Sequence, residues 1–207
     1  FSYSVLHDLR SPVRAMHGYA RALAEDFGDG LNADARFYVD RIIHGTVRME
    51  RLIHDVLTYS RIGRMEIKLQ TVPLDDLMRS VMDQYPELNS GKVDIVIAPN
   101  LPTVLAHEPA LGQALANLLS NAVKFVARGT RPRVEVSAER TDRHVLVKIR
   151  DNGIGIKPEH QRRLFGMFER VHPEGKYEGT GIGLAIVRKS IERMGGQVGV
   201  ESDGVKG

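Results

Sequence analysis

The stretch GTGIGLAIV, residues 179–187, is compatible with two different architectures, and its surroundings select between them. Gly179, Gly181 and Gly183 stand directly before a helical run, GIGLAIVRKSIERMGG (181–196), which two glycines close. Free backbone N–H groups and the positive end of a helix dipole make such a start a cradle for phosphate. The spacing superficially matches the dinucleotide fingerprint, but that fingerprint follows a strand inside a parallel βαβ unit. Here the upstream strands, RVEVSAE (133–139) and HVLVKIR (144–150), alternate apolar and polar around a short RTDR connection, which predicts an antiparallel hairpin. Residues 157–178, between hairpin and glycines, are charged and irregular, as expected of a lid over a bound nucleotide. The dinucleotide fold is therefore excluded, and a phosphate site on a mixed α/β layer is expected.

DNGIGI (151–156) follows the strand HVLVKIR, so Asp151 is expected just beyond a strand end, where sheet ligands commonly bind. Its carboxylate can accept from the exocyclic amine of adenine, and Gly153 and Gly155 let the backbone pass close to a base. Further upstream, EPALGQALANLLSNAVKF (108–125) predicts a long helix with Asn117 and Asn121 at i, i+4 on one face and Lys124 one turn on. Amide oxygens suit Mg²⁺, which shares its octahedron with waters and phosphates, and Lys124 can neutralise phosphate. LDDLMRSVM (74–82) predicts another helix, KVDIVIA (92–98) a strand and QVGVES (197–202) a final strand.

The first 61 residues follow a different rule. Leu6, Leu9, Val13, Met16, Ala20, Leu23 and Phe27 recur at steps of three and four, and so do Tyr38, Ile42, Gly45, Met49, Leu52, Val56 and Tyr59. The two helices are joined by DFGDGLN (26–32), with Asn32 as candidate N-cap of the second. Their apolar stripe, flanked by Val39, Thr46 and Ile53, is wider than one hairpin covers, which predicts a homodimer closed as a four-helix bundle. Within the first helix, HDLRSP (7–12) sets Pro12 in the interior, where it removes a hydrogen bond at a cost of about 3 kcal/mol. Such broken local rules gather at functional sites, and His7 falls one step off the seam, on the face of Arg10, Ser11, Arg14 and Gly18.

Composition excludes several classes. The chain has 207 residues, a net charge of +3 and no cysteine, with no apolar run near 18 residues and no signal-peptide pattern. A cytoplasmic setting is expected, with any membrane span lying upstream of residue 1. Its 29 Lys and Arg are interspersed with 26 acidic residues rather than gathered in a patch, which argues against nucleic acid.

The order of these motifs, behind a helical hairpin that opens with HDLRSP, resembles the sensor histidine kinases of two-component signalling over nearly the whole chain. GMFERVHPEGKYEGTGIGLAI (166–186) is particularly similar to their hybrid and phytochrome-like branch. The resemblance implies a HisKA-type dimerisation and histidine phosphotransfer hairpin over 1–64, followed by a catalytic ATP-binding domain, an α/β sandwich of the GHKL type, over 65–207. It implies ATP-dependent autophosphorylation on His7, with Asp8 as its acidic neighbour, and transfer to an aspartate of a response-regulator receiver domain.

By the same match, Asn117, Asn121, Lys124 and Phe125 form the N box, with Asn121 the Mg²⁺ ligand. Asp151 reads adenine, with Gly153 and Gly155. Phe165 and Phe168 form the F box, Arg170 reaches the γ-phosphate, and Thr180, Gly181 and Gly183 belong to the second glycine box. Pro12 matches the family's proline-bent helix beside the reactive histidine. The chain departs from the pattern at Ser11, where Thr or Asn is frequent, and at AHEPALGQ (106–113), where many members carry Asp and Arg. The family's closing strand after GVKG is also missing from the sequence. The second pair, His54 and Asp55 in RLIHDVLTYSR (51–61), lacks a following proline and reads as structural. His17, His44, His107, His144, His160 and His172 read as surface or edge residues, in no zinc spacing. A catalytically silent dimeric scaffold and a GHKL ATPase are the alternatives. Intact His7, Asn121 and Asp151 argue against the first, and the histidine-bearing hairpin against the second.

Overall fold

The structure is a computed structural model that describes residues 2–171, 177 and 179–204, with side chains from residue 8 onward. The chain divides into two compact units, Phe1–Arg61 and Ile62–Gly207. Each is built by its own rule.

The first unit holds α1 (Ser2–Phe27) and the greater part of α2 (Ala33–Arg64). α1 runs through Pro12 without a break in its assignment. Asn32 caps α2 as its position predicts: its side-chain oxygen accepts the Ala35 N–H at 2.8 Å. The helices run antiparallel, since Val13 clusters with Ile53 and Leu57, Arg14 faces Glu50 at 3.6 Å and His17 Nδ1 meets Thr46 Oγ1 at 3.0 Å. Val13, Ala20, Val39, Thr46, Ile53 and Leu57 are the buried set. The residues expected to flank the seam thus lie inside the hairpin. Much of the expected seam itself points outward: Leu9, Met16, Leu23, Ile42 and Met49 remain 41% to 51% exposed. Two helices bury only the face each turns to the other, so an apolar stripe is left without a partner.

The second unit is a two-layer sandwich. Its main sheet comprises β2 (Asp94–Ile97), β4 (Arg133–Arg140) and β5 (Val145–Asp151), in the order β2-β4-β5. β4 and β5 pair antiparallel, as their sequence alternation predicts. β2 pairs with β4 in parallel, so the sheet is mixed rather than wholly antiparallel. Helices α3 (Leu74–Gln84), α4 (Glu108–Lys124) and α6 (Gly183–Arg193) supply the other layer. Leu74, Met78, Leu119, Val134 and Val136 are almost fully enclosed between the layers, whereas Arg133 and Glu135, at alternate positions of β4, face solvent. A separate two-stranded ribbon, β1 (Gln70–Pro73) with β3 (Thr103–Ala106), has no counterpart in the sequence reading. Its strands are four residues long, too short for alternation to register.

Two further expectations are corrected. Residues 197–202 do not form a strand. Burial still alternates there, with Val198 and Val200 turned inward, but the segment joins no ladder. Side chains tether it instead: Ser202 Oγ accepts from the Ile156 N–H at 2.9 Å, and Gln161 Nε2 donates to the carbonyls of Ile156 and Ser202. A strand exists only by pairing, and alternation alone cannot supply the partner edge. The lid segment is also less irregular than expected, since it opens with a short helix, α5 (Pro158–Gln161), and successive turns. Among the described residues, no helix is long and apolar enough to cross a membrane.

Candidate active site

The second unit carries a broad cleft of about 2070 Å³, and α4, the loop after β5, the lid and the start of α6 converge on one part of its wall. Asn117, Asn121, Lys124, Phe125, Asp151, Gly155, Phe165, Arg170, Thr180, Gly181 and Gly183 all line it. Gly153 and Phe168 do not. Each has another task.

Asp151 ends β5, and its Oδ1 accepts the Gly153 N–H at 2.8 Å, closing a tight turn. Burial raises its carboxyl above the ordinary value of 3.8, and the bond from Gly153 pulls the other way. Behind this turn the Ile154 N–H donates to the Phe125 carbonyl at 3.0 Å. A Cβ on residue 153 would stand 2.6 Å from that carbonyl oxygen and 2.5 Å from Asp151 Oδ1, so only glycine fits. Gly153 therefore acts by letting the loop close on the end of α4. Asn152 anchors the same loop: its side-chain oxygen accepts the Arg133 N–H at 2.8 Å and its amide donates to the Arg131 carbonyl at 3.0 Å.

Beside α4, α6 starts at Gly183, and no side chain among the described residues caps it, leaving the helix start to an external acceptor. The side chain of Lys124 reaches within 3.2 Å of the Cβ that Gly179 lacks, and Asn117 Oδ1 within 3.3 Å of the one that Gly183 lacks. Asn117 Nδ2 is buried with no hydrogen-bond partner among the described residues. An orphaned donor, an ammonium and an uncapped helix start on one cleft form a polar set suited to phosphate oxygens. No cluster of three or more His, Cys, Asp or Glu side chains among the described residues could hold a metal. A cation here would rely on amide oxygens and on the phosphates themselves, which fits Mg²⁺ rather than zinc.

The lid and the second glycine loop interlock through the backbone. Phe168 holds φ 60° and Gly181 φ 75°, and a Cβ on Gly181 would stand 2.9 Å from the Phe168 carbonyl carbon. Phe168 itself is largely exposed. Thr180 Oγ1 accepts the Ile182 N–H at 3.3 Å, steadying the approach to α6.

Tyr177 was not among the sequence candidates. Its hydroxyl donates to the Val126 carbonyl at 3.0 Å, and its ring lies 5.3 Å from that of Phe125. Its signal in the sequence is that it is the one Phe, Tyr or Trp between Phe168 and Thr180.

His7 lies within α1, but its side chain falls outside the described residues, and Asp8 is exposed. Of the other histidines, His107 caps α4 by accepting the Ala110 N–H, at 3.3 Å. His17 is held against Thr46. His44 contacts Asp40 one turn earlier, His54 contacts its neighbour Asp55, and His172 lies outside the described residues.

Comparison with known proteins matches residues 1–64 to the model of the His Kinase A (phospho-acceptor) domain. Residues 106–207 match that of the histidine kinase-, DNA gyrase B- and HSP90-like ATPases. Cyanobacterial phytochrome A of Nostoc sp. is 35% identical over 98% of this chain and 26% of its own length. The methanogenesis regulatory histidine kinase FilI of Methanothrix harundinacea is 32% identical over 100% of this chain and 23% of its own. Among solved structures, full-length ShkA in complex with AMPPNP superposes with a TM-score of 0.70 at 32% identity, covering 98% of this chain and 42% of that one. The chain spans about a quarter of the length of either of these two curated relatives.

Proposed function

Since this chain belongs to the sensor histidine kinases of two-component signalling, we propose that it binds ATP in the α/β cleft and autophosphorylates His7. The phosphoryl group then passes to an aspartate of a response-regulator receiver domain. The observation that carries this reading is the convergence, on one cleft, of a half-buried carboxylate with an uncapped helix start and Lys124. That pairing suits a nucleotide, with a base to be read and a polyphosphate to be neutralised. In this reading Asp151 accepts from the adenine amine, and Gly155 keeps the loop low beneath the base. Asn117, Lys124, Arg170 and the loop Thr180–Gly183 hold the phosphate chain.

Bound Mg²⁺ would screen phosphate charge, with Asn121 as its ligand from the protein. One neutral nitrogen of His7 attacks the γ-phosphorus as the bond to the departing ADP oxygen breaks. The other nitrogen carries the proton, which Asp8 is placed in the sequence to accept. Domain roles follow the sequence division, phosphotransfer over 1–64 and catalysis over 65–207. The exposed apolar stripe of the hairpin supports a homodimer through a four-helix bundle. ATP as substrate and the lack of cysteine support a cytoplasmic setting.

The test is incubation with Mg²⁺ and γ-labelled ATP, comparing this chain with His7→Ala. Label that is lost in acid, kept in alkali and absent from His7→Ala is the expected result. Label that persists in His7→Ala overturns the assignment of the phosphoacceptor, and steady hydrolysis without a labelled protein turns the reading toward an ATPase.

A further inference from the structure

Two cations line the phosphate side of the cleft, and both lean on one aromatic corner. Lys124 Nζ lies 4.1 Å from the centroid of the Phe125 ring, and that ring is in turn packed by Tyr177 at 5.3 Å with the planes inclined at 54°. Arg170 Nη2 donates to the Tyr177 backbone carbonyl at 3.1 Å. The Tyr177 hydroxyl fixes this arrangement to the end of α4 through the Val126 carbonyl. Phe125 also accepts the Ile154 N–H through its own carbonyl, so the adenine-side loop and the lid meet at the same two residues, Phe125 and Val126.

We infer that Tyr177 is a positioning residue for the nucleotide: it docks the lid on Phe125 and Val126, and thereby sets Arg170 and Lys124 at the polyphosphate end of the cleft. The inference rests on the ATP-binding reading and extends it to a residue that the family resemblance did not single out. Tyr177 need not touch the nucleotide. Its ring and hydroxyl place its own carbonyl, and that carbonyl holds the guanidinium. Losing the dock therefore falls on the end of the ligand that carries charge. Asp151 is held by its own bond from the Gly153 N–H, in which Tyr177 has no part, so binding of the base is spared. The consequence is selective: Tyr177 governs the preference for a triphosphate over a diphosphate more than it governs nucleotide binding in general.

The experiment measures equilibrium binding of a non-hydrolysable ATP analogue and of ADP to the whole chain, and to Tyr177→Phe and Tyr177→Ala, with melting curves for each. Tyr177→Phe keeps the ring contact and loses one hydrogen bond, so it weakens the analogue by about fivefold. Tyr177→Ala loses both and weakens it by an order of tenfold or more. ADP affinity changes by less than about threefold in either variant, because the lost contacts serve the distal phosphate. Analogue binding equal to wild type in both variants overturns the inference. So does an equal loss for both ligands, which makes Tyr177 a packing residue. Should Tyr177→Ala not fold, Tyr177→Phe decides alone: a reduced analogue-to-ADP preference supports the inference and an unchanged one overturns it. A wild-type chain that binds neither nucleotide overturns the ATP-binding reading itself, and the inference with it.

Discussion

Gly181 and Phe168 are in backbone contact, with both at positive φ, and the Cβ that Gly181 lacks would stand 2.9 Å from the carbonyl carbon of Phe168. The lid and the loop before α6 thus pack main chain against main chain, with no room for a side chain between them.

Gly181→Ala tests that joint. Left-handed backbone costs a non-glycine residue on the order of 1–2 kcal/mol, and here the collision with Phe168 adds to it. Lid and loop must separate, so affinity for a non-hydrolysable ATP analogue falls by more than about tenfold, well beyond the loss in melting temperature. Calorimetric titration beside a thermal melt distinguishes the two, and an analogue affinity equal to wild type would falsify the joint's role.

Gly18→Ala should do the opposite. Gly18 lies inside α1, and beyond the helix's own backbone and its chain neighbours no atom of the described residues comes within 4 Å of the missing Cβ. Alanine in a helix interior is favoured over glycine by about 1 kcal/mol, partly by restricting the unfolded chain. The expected outcome is a higher denaturation midpoint with nucleotide affinity unchanged.

Asp151→Asn separates stability from binding. Burial raises the folded-state pKa of Asp151, so between the ordinary value of 3.8 and that raised value the folded chain holds more protons than the unfolded one. Stability contributed by this group is full below the ordinary value and is lost as pH rises through the folded one. Asparagine does not titrate. The variant should gain on wild type as pH climbs through that window and melt no lower at pH 7. Its Oδ1 can keep the Gly153 bond, but its amide then turns a donor toward the donor amine of adenine, weakening nucleotide binding by about tenfold or more. Thermal melts across pH and a nucleotide titration at pH 7 check both halves.

Ile42→Glu addresses the hairpin. Ile42 is 51% exposed on a stripe shared with Met16, Leu23 and Met49. If a second copy covers the stripe, each subunit buries an unpaired carboxylate there, and the dimer weakens by a hundredfold or more, following a penalty of about 3–5 kcal/mol. Sedimentation against concentration reads this. An identical sedimentation profile for wild type and variant would remove the stripe from the interface.

Much was legible because it is local. The Asn32 cap, the helices α3, α4 and α6, and the β4–β5 hairpin each follow from periodicity or turn chemistry within a short window. Asn117, Asn121 and Lys124 share a cleft-facing side because helix geometry fixes i, i+4 and i+7. The inward and outward faces of the hairpin were harder to assign. Val39, Thr46 and Ile53 differ from the seam by a single step, and only packing against Val13 and its neighbours selects which set is covered.

Helix period, strand alternation and glycine punctuation act over a few residues, so the sequence alone shows the two kinds of unit, the long helices, the β4–β5 hairpin and the residue types at the phosphate end, but not the β1–β3 ribbon. Long-range packing decides that β2 joins β4 in parallel, that residues 197–202 are held by side-chain bonds to Ile156 and Gln161 rather than as a strand, and that Tyr177 meets Phe125. These depend on contacts between residues far apart in the chain, where pairing edges and shape, not local pattern, choose the partner.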